Sequence, residues 1–380
     1  MITLPTVETI RKLAANTASA ASAADTASAI ISPYKKIIIY GAGNLGKRTL
    51  AILTNLGRQD DVAFFLDANP SGKTHYANIP IVLPDSDTVS DAIKEKALVI
   101  VAVMLNKSDY NSLEKRIKGY GYQNTLNAYA LMTTSVQVSR VSEDMRYISD
   151  SADAVCDAFM LLSDEHSKSV FANILQAHTQ HNYGDAIDAN IPQYFDNSVP
   201  FANNYRRFVD CGAYNGDTLN ELMSRTKCEW YIGFEPSLES YSLLVKNAMS
   251  YKIDTLCLPL AISDESGFVK FDDRSSGNSR IAEDGKSILQ TVRLDDIIKN
   301  PDGLTIKMDI EGSEAAAICG AERLIKSGAP DLAICVYHYV SDLWEIPNML
   351  HVLTPQYRFY LRNHYEYTFE TVLYATVGGR

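Results

Sequence analysis

Acidic side chains recur where this chain leaves a buried strand. Asp210 ends the apolar run that begins at Phe208, Glu235 follows a run over 230–234, and Asp309 and Glu311 follow one over 304–308. His338 stands after a fourth such run, over 332–337. In a parallel sheet the carboxyl ends of the strands share one edge, and α/β folds bind ligands there. The five side chains are therefore expected to converge despite their separation along the chain. After Asp210 come Gly212, Ala213 and Gly216, then Asp217 and Thr218 at the start of a helical stretch. Glycines let the backbone approach a ligand closely, and a helix start offers free N–H groups. No Lys-Ser/Thr pair follows Gly216, so the turn lacks the means to hold phosphates. It suits a cationic ligand without them, and S-adenosyl-L-methionine, with its sulfonium and amine, fits that description.

Each residue then has an expected role. Asp210 would face the amine, while Gly212, Ala213, Gly216 and Asp217 would surround the methionine part. Glu235 would accept hydrogen bonds from the ribose hydroxyls, as an acid does there in dinucleotide sites. Ser263, in Ala261-Ile262-Ser263-Asp264, would lie along the adenine, and Asp309 would complete the cofactor edge. Methyl transfer is an in-line displacement at carbon that depends on alignment in a dry site. An alcohol acceptor must also lose a proton. His338 is the expected catalytic base, because imidazole titrates near working pH, with Asp309 or Glu311 orienting it or sharing the task. Asp309, Glu311, His338 and Asp342 would also suit Mg or Mn, but no compact ligand motif supports this and no metal is expected.

Several elements must position these groups. Strands are expected over 208–211, 230–234, 255–262, 304–308 and 332–337, with a hairpin-like insertion over 267–296. Two closing strands, over 357–362 and 371–375, have no helix between them and imply an antiparallel terminal hairpin. Upstream, Lys36-Ile37-Ile38-Ile39-Tyr40 reads as a buried strand leading into Gly41-Ala42-Gly43-Asn44-Leu45-Gly46, which fits G-x-G-x-x-G. Asp67 ends the next strand about 20 residues on, as a dinucleotide fingerprint expects. Further strands are expected over 97–104 and 124–131. Four regions follow: an N-terminal helical or disordered segment 1–33, a Rossmann-like nucleotide-binding domain 34–135, a helical connector 136–200, and the second α/β domain 201–380. The terminal aromatics Tyr357, Phe359, Tyr360, Tyr365, Tyr367 and Phe369 read first as the two sides of an edge hairpin and second as sugar-stacking surface.

Bulk properties narrow the field. A chain of 380 residues with 46% hydrophobic and 21% charged residues is long enough for two globular domains. A net charge of −11 argues against a nucleic-acid partner, which would want a basic face. Six cysteines scattered without C-x-x-C pairs fit buried thiols in a reducing compartment. No membrane span or signal peptide is read from the sequence, so a cytoplasmic protein is expected, with a homo-oligomer allowed by the N-terminal segment.

Specific runs carry a family resemblance. Val209-Asp210-Cys211-Gly212-Ala213, Gly233-Phe234-Glu235-Pro236, Leu294-Asp295 and Ile306-Lys307-Met308-Asp309-Ile310-Glu311-Gly312-Ser313-Glu314 resemble the FkbM-type methyltransferases. Tyr360-Leu361-Arg362 and Glu370-Thr371-Val372-Leu373-Tyr374-Ala375 are similar to that family's tail. The resemblance spans roughly 200–376. It implies a Class I methyltransferase sheet and S-adenosylmethionine-dependent O-methylation of a hydroxyl on a sugar, glycan or related natural product. The N-terminal unit is similar to small nucleotide-binding domains attached to some bacterial sugar-modifying enzymes. There Gly41, Gly43, Gly46 and Asp67 would hold a nucleotide or nucleotide-sugar.

Two other readings stand beside this one. In the first, a nicotinamide-dependent nucleotide-sugar-modifying enzyme works through the N-terminal domain, although no Tyr-x-x-x-Lys pair follows its glycine turn. In the second, both folds serve a non-catalytic nucleotide-sugar-binding scaffold.

Overall fold

The unbroken apolar runs form strands at the centres of two separate sheets, as parallel strands covered on both faces should. The computed structural model describes residues 4–15, 27–70, 72–103, 105, 107–131, 147–180, 187–272, 280–281 and 287–378. By internal contacts the chain divides into two units, one from 1–15, 151–175 and 185–380, the other from 16–150 and 176–184.

The second of these holds β1 (Ile37–Tyr40), β2 (Val62–Leu66), β3 (His75–Tyr76), β4 (Ile79–Val82), β5 (Leu98–Val101) and β6 (Asn124–Asn127). Their order is β3-β4-β2-β1-β5-β6, with every pair parallel except β3 with β4. All four residues of β1 and of β5 are buried. The strands expected over 97–104 and 124–131 are shorter than the apolar pattern suggested, and Met104 lies outside the described residues.

The other unit carries β7 (Arg207–Cys211), β8 (Trp230–Phe234), β9 (Asp254–Leu258), β10 (Ala261–Ile262), β11 (Gly267–Asp272), β12 (Arg280–Ile281), β13 (Ser287–Val292), β14 (Leu304–Met308), β15 (Asp331–Cys335), β16 (Arg358–Asn363) and β17 (Thr371–Thr376). Seven of them make one sheet in the order β16-β17-β15-β14-β7-β8-β9. The five from β15 to β9 run parallel, whereas β17 is antiparallel to both its neighbours. The expected terminal hairpin is therefore present, with the last strand inserted between β15 and β16. Every residue of β14 and β15 is buried. Phe208 and Tyr231 stack across β7 and β8 with centroids 6.3 Å apart. Burying each such ring is worth roughly 1.5–3 kcal/mol.

Two sequence expectations change here. The strand expected over 255–262 is broken at Pro259, which has no N–H for a ladder. Its first part stays in the seven-stranded sheet as β9, while β10 pairs with β13 in a four-stranded sheet ordered β10-β13-β11-β12. The hairpin expected in the insertion is β11 with β13, in register Phe268↔Gln290. Moreover, most of the described part of the 136–200 connector belongs to the unit with the seven-stranded sheet. The helix Ala152–Leu161 packs there with Val7–Ala15, whose Ile10 and Ala14 are buried, so part of the 1–33 segment is also integral to that unit.

Arg362 shows why the connector is bound to the sheet. Its guanidinium is buried on β16 and reaches Asp196 at 2.7 Å, Asp164 at 3.0 Å, Ser167 at 2.9 Å and Ser198 at 3.0 Å. Replacing one side of a buried ion pair strands the remaining charges, at about 3–5 kcal/mol. Arg362→Met is expected to lower unfolding free energy by about that amount in a denaturant titration, and an unchanged midpoint would count against this role.

Candidate active site

The glycine turn after β7 is fixed by the strands on either side. Asp210 pairs in register with Lys307 on β14 and Gly233 on β8. Beyond the strand, Asp309 N–H donates to the Cys211 carbonyl at 3.0 Å, and the N–H groups of Gly212 and Ala213 both donate to the Phe234 carbonyl at 3.0 Å. Gly212 has φ +80°, and a Cβ there would stand 1.8 Å from the Asp309 carbonyl oxygen. Only glycine satisfies both conditions. Tyr214 also has positive φ, +44°, and its side chain is exposed.

Glu235 turns back onto this loop. Its Oε2 accepts from Tyr214 N–H at 2.9 Å and its Oε1 from Ser237 N–H at 2.8 Å. Burial pushes its carboxyl up, and the two backbone donors oppose that shift. Each oxygen retains acceptor capacity for a further hydroxyl. Glu235, the glycine turn and Asp309 thus share the carboxyl edge of the sheet. Asp217 is exposed at the start of the helix Asp217–Arg225, where its carboxylate accepts from Thr218 N–H at 2.8 Å. Ser263 follows β10 in the four-stranded sheet, and its hydroxyl donates to Asp264 at 2.9 Å.

The direct ligand contact expected of Asp210 is corrected. Its side chain is fully buried, paired with Lys307 Nζ at 3.0 Å and bonded by Tyr231 OH at 2.9 Å. Burial pushes Asp210 up while Lys307 draws it back, and the neighbouring acids hold the Lys307 ammonium charged despite its own burial. Lys307 also donates to the Gly212 carbonyl at 2.6 Å. Asp210 therefore acts through Lys307 on the shape of the turn, beneath the ligand edge.

A second group surrounds Asp309. Its Oδ2 accepts from Tyr194 OH at 2.9 Å and its Oδ1 from Tyr337 OH at 3.3 Å. His338 sits between three carboxylates, with Nε2 3.5 Å from Asp309 and 3.8 Å from Glu311, and Nδ1 3.0 Å from Glu314. Burial opposes charge on His338, but Glu314, Asp309 and Glu311 outweigh it and raise its pKa to about 9. The three acids thus favour the imidazolium over the neutral ring that a base requires. Glu311 is pushed up to about 7, first by burial and then by Asp309, Glu314 and Glu370 against the pull of His338. Its side chain is 33% exposed, the most open of the three acids around His338. Its backbone has φ +57°, and the following Gly312, at φ +93°, leaves room only for the Tyr339 ring. Asp342 instead accepts from Tyr339 N–H at 3.1 Å.

Sequence reasoning missed Lys307, Tyr194, Glu314, Glu370 and Tyr339 as members of the site. Lys307 had a signal, being a lone charge inside a buried strand opposite a lone acid. Tyr194 and Glu370 had none, since neither ends a strand that carries the ligand edge. Of the terminal aromatics, Tyr357, Phe359 and Tyr360 are buried, as an edge hairpin predicts.

In the N-terminal unit, most of the glycine turn is explained by its own packing. A Cβ on Gly46 would stand 1.9 Å from the Gly41 carbonyl oxygen, and Gly41, at φ +104°, abuts the Ala102 carbonyl. Asp67 accepts from Ala42 N–H and Asn69 N–H, each at 2.8 Å, so it braces the turn. Gly43 alone of the three glycines has open space where a Cβ would go.

Such a sheet, with a glycine turn after its central strand and an acid after the next, is a Rossmann-like α/β arrangement. Residues 210–367 match the family model described as the Methyltransferase FkbM domain. The fold is similar to the crystal structure of Methyltransferase FkbM from Methylobacillus flagellatus KT, with TM-score 0.65 and 21% identity over 94% of this chain and 98% of that one. Among curated proteins, none matches the sequence significantly. Among the described residues, no helix is long and apolar enough to cross a membrane.

The pinning of the turn is testable. Lys307→Met would leave the Asp210 carboxylate buried and bare, which costs about 3–5 kcal/mol. The expected outcome is a lower thermal midpoint by calorimetry. An unchanged midpoint would show that the turn keeps its shape without the lysine.

Proposed function

We propose that this protein is an S-adenosyl-L-methionine-dependent O-methyltransferase acting on a hydroxyl of a sugar, glycan or related natural product. The observation that carries the reading is Glu235 held against the Gly212–Gly216 turn, with Asp309 and Glu311 at the end of β14 on the same edge. The residues fit the cofactor: Glu235 offers acceptor positions for ribose hydroxyls, and glycine at 212 and 216 keeps side chains out of the backbone's path. When bound, S-adenosyl-L-methionine supplies a methyl group on a cationic sulfur.

The chain's own residues do the rest. Lys307 neutralises Asp210 and fixes the Gly212 carbonyl, so the turn is shaped before ligand arrives. Tyr214 and Ser237 N–H groups orient Glu235. Glu311, the most exposed acid around His338, takes the acceptor hydroxyl's proton as the oxygen gains the methyl group. His338, charged among carboxylates, restrains Glu311 and Asp309. Tyr339, exposed beside Gly312, offers an aromatic face of the kind that stacks on a sugar ring. The FkbM domain match supports methyl transfer; oxygen as the acceptor atom and the sugar class rest on Glu311 and Tyr339. A cytoplasmic setting belongs to the same reading.

The test is incorporation of labelled methyl from S-adenosyl-L-methionine into a panel of free sugars, nucleotide-sugars and polyketide alcohols. Glu311→Gln should cut kcat by about 10²–10⁴-fold with S-adenosylhomocysteine affinity kept, whereas Glu235→Ala should abolish that affinity. If the wild-type chain neither binds the cofactor nor labels any hydroxyl, the proposal fails.

A further inference from the structure

Three side chains beside the proposed acceptor position form a group whose needs the protein does not meet by itself. One ligand-type atom from each of Asp309, Glu314 and His338 lies within 4.8 Å of the other two. The His338 side chain is only 9% exposed, and neither ring nitrogen has a hydrogen-bond partner of acceptable geometry. Glu314 is fully buried; its Oε1 accepts from Ile310 N–H at 2.8 Å, but its Oε2 has no partner. Buried polar groups without partners cost about 1–3 kcal/mol each, and more when charged. A His338 ring nitrogen and Glu314 Oε2, both buried and unpartnered in one cluster, point to a missing member.

We infer that Asp309, Glu314 and His338 bind one divalent cation of the Mn²⁺ type. Charge supports this. Around the cluster stand Asp309, Glu311, Glu314, Asp342 and Glu370, while Lys307 is already committed to Asp210. Binding through a ring nitrogen needs the neutral imidazole, so one proton leaves His338 as the divalent ion enters and the cluster gains one net positive charge among its acids. Geometry agrees as well: first-row ions hold nitrogen and oxygen ligands at about 2.0–2.2 Å, so adjacent ligands stand roughly 3 Å apart. His338 can hold one ion through one ring nitrogen only; Nδ1 is 3.0 Å from Glu314 Oε1, and with one ligand atom each the three residues lie within 4.8 Å, so side-chain shifts of about 1–2 Å would close the set. One imidazole with two carboxylates favours Mn²⁺, Fe²⁺ or Zn²⁺ over Ca²⁺. Asp309 and Glu311 are 24% and 33% exposed, which leaves a side open to water or to an acceptor oxygen.

A second trio, Asp309 with Cys335 and Glu370, is equally compact but already engaged. Cys335 contacts Tyr194 OH at 3.4 Å, and Glu370 accepts from the Gln193 amide. The cation's use in catalysis rests on the methyl-transfer reading; its binding does not.

The test uses the full chain, stripped with EDTA and titrated with Mn²⁺ by calorimetry and electron paramagnetic resonance. One equivalent should bind with ¹⁴N coupling from a histidine nitrogen, and His338→Gln should remove that coupling and weaken binding about 10–100-fold. Glu314→Gln should weaken it comparably; should that variant fail to fold, the wild-type ¹⁴N signal and His338→Gln decide alone. No stoichiometric Mn²⁺ binding, or binding indifferent to His338→Gln, overturns the site. Mn²⁺ binding without S-adenosylhomocysteine binding upholds it and sinks only the methyl-transfer reading.

Discussion

The buried pair between Lys307 and Asp210 is the constraint on which the rest of the site depends. Two opposite charges stand in register on neighbouring central strands, the lysine 3% exposed and the aspartate fully buried. Taking both from water is expensive, and the attraction between them recovers that cost only when their remaining valences are also met. Here they are: Tyr231 donates to the aspartate and Gly212 accepts from the lysine. The energy invested in the pair thus fixes a backbone carbonyl at the start of the glycine turn. The turn in turn presents Tyr214 N–H to Glu235, which ties the end of β8 to the end of β7.

Backbone strain is present along the same edge. Tyr214 and Glu311 hold positive φ without being glycine, at about 1–3 kcal/mol each for such conformations. They stand at the carboxyl edge of the sheet, one after β7 and one after β14. The sheet can hold them because β14 and β15 are wholly buried and cannot relax. Rigid strands therefore supply the stability, and the loops at their ends use part of it to aim side chains.

Electrostatics divides the acids into separate tasks although they look alike in sequence. Asp210 is neutralised by a lysine and hidden. Asp309 is held low, since Lys307, His338 and the Tyr194 hydroxyl together outweigh its burial. Glu311 is pushed the other way, to about 7, by burial and by the neighbouring acids. One cluster thus contains a permanently ionised group and one that can exchange a proton near neutrality.

The sequence by itself determined where strands end and which residue types stand at those ends. Those features are local, set by apolar runs, glycines and the short reach between an acid and the turn after it. It also foretold the parallel sheet, the antiparallel pair at its close and the insertion hairpin, because each has its own periodicity. What only the tertiary structure decided was direction and partnership. Asp210 points into the sheet because Lys307 lies opposite it one strand away. Pro259 sends Ser263 to a different sheet. Tyr194 donates to Asp309 from a segment with no strand-end signal, since the groups that satisfy a buried carboxylate are chosen by packing in three dimensions and leave no spacing in the chain.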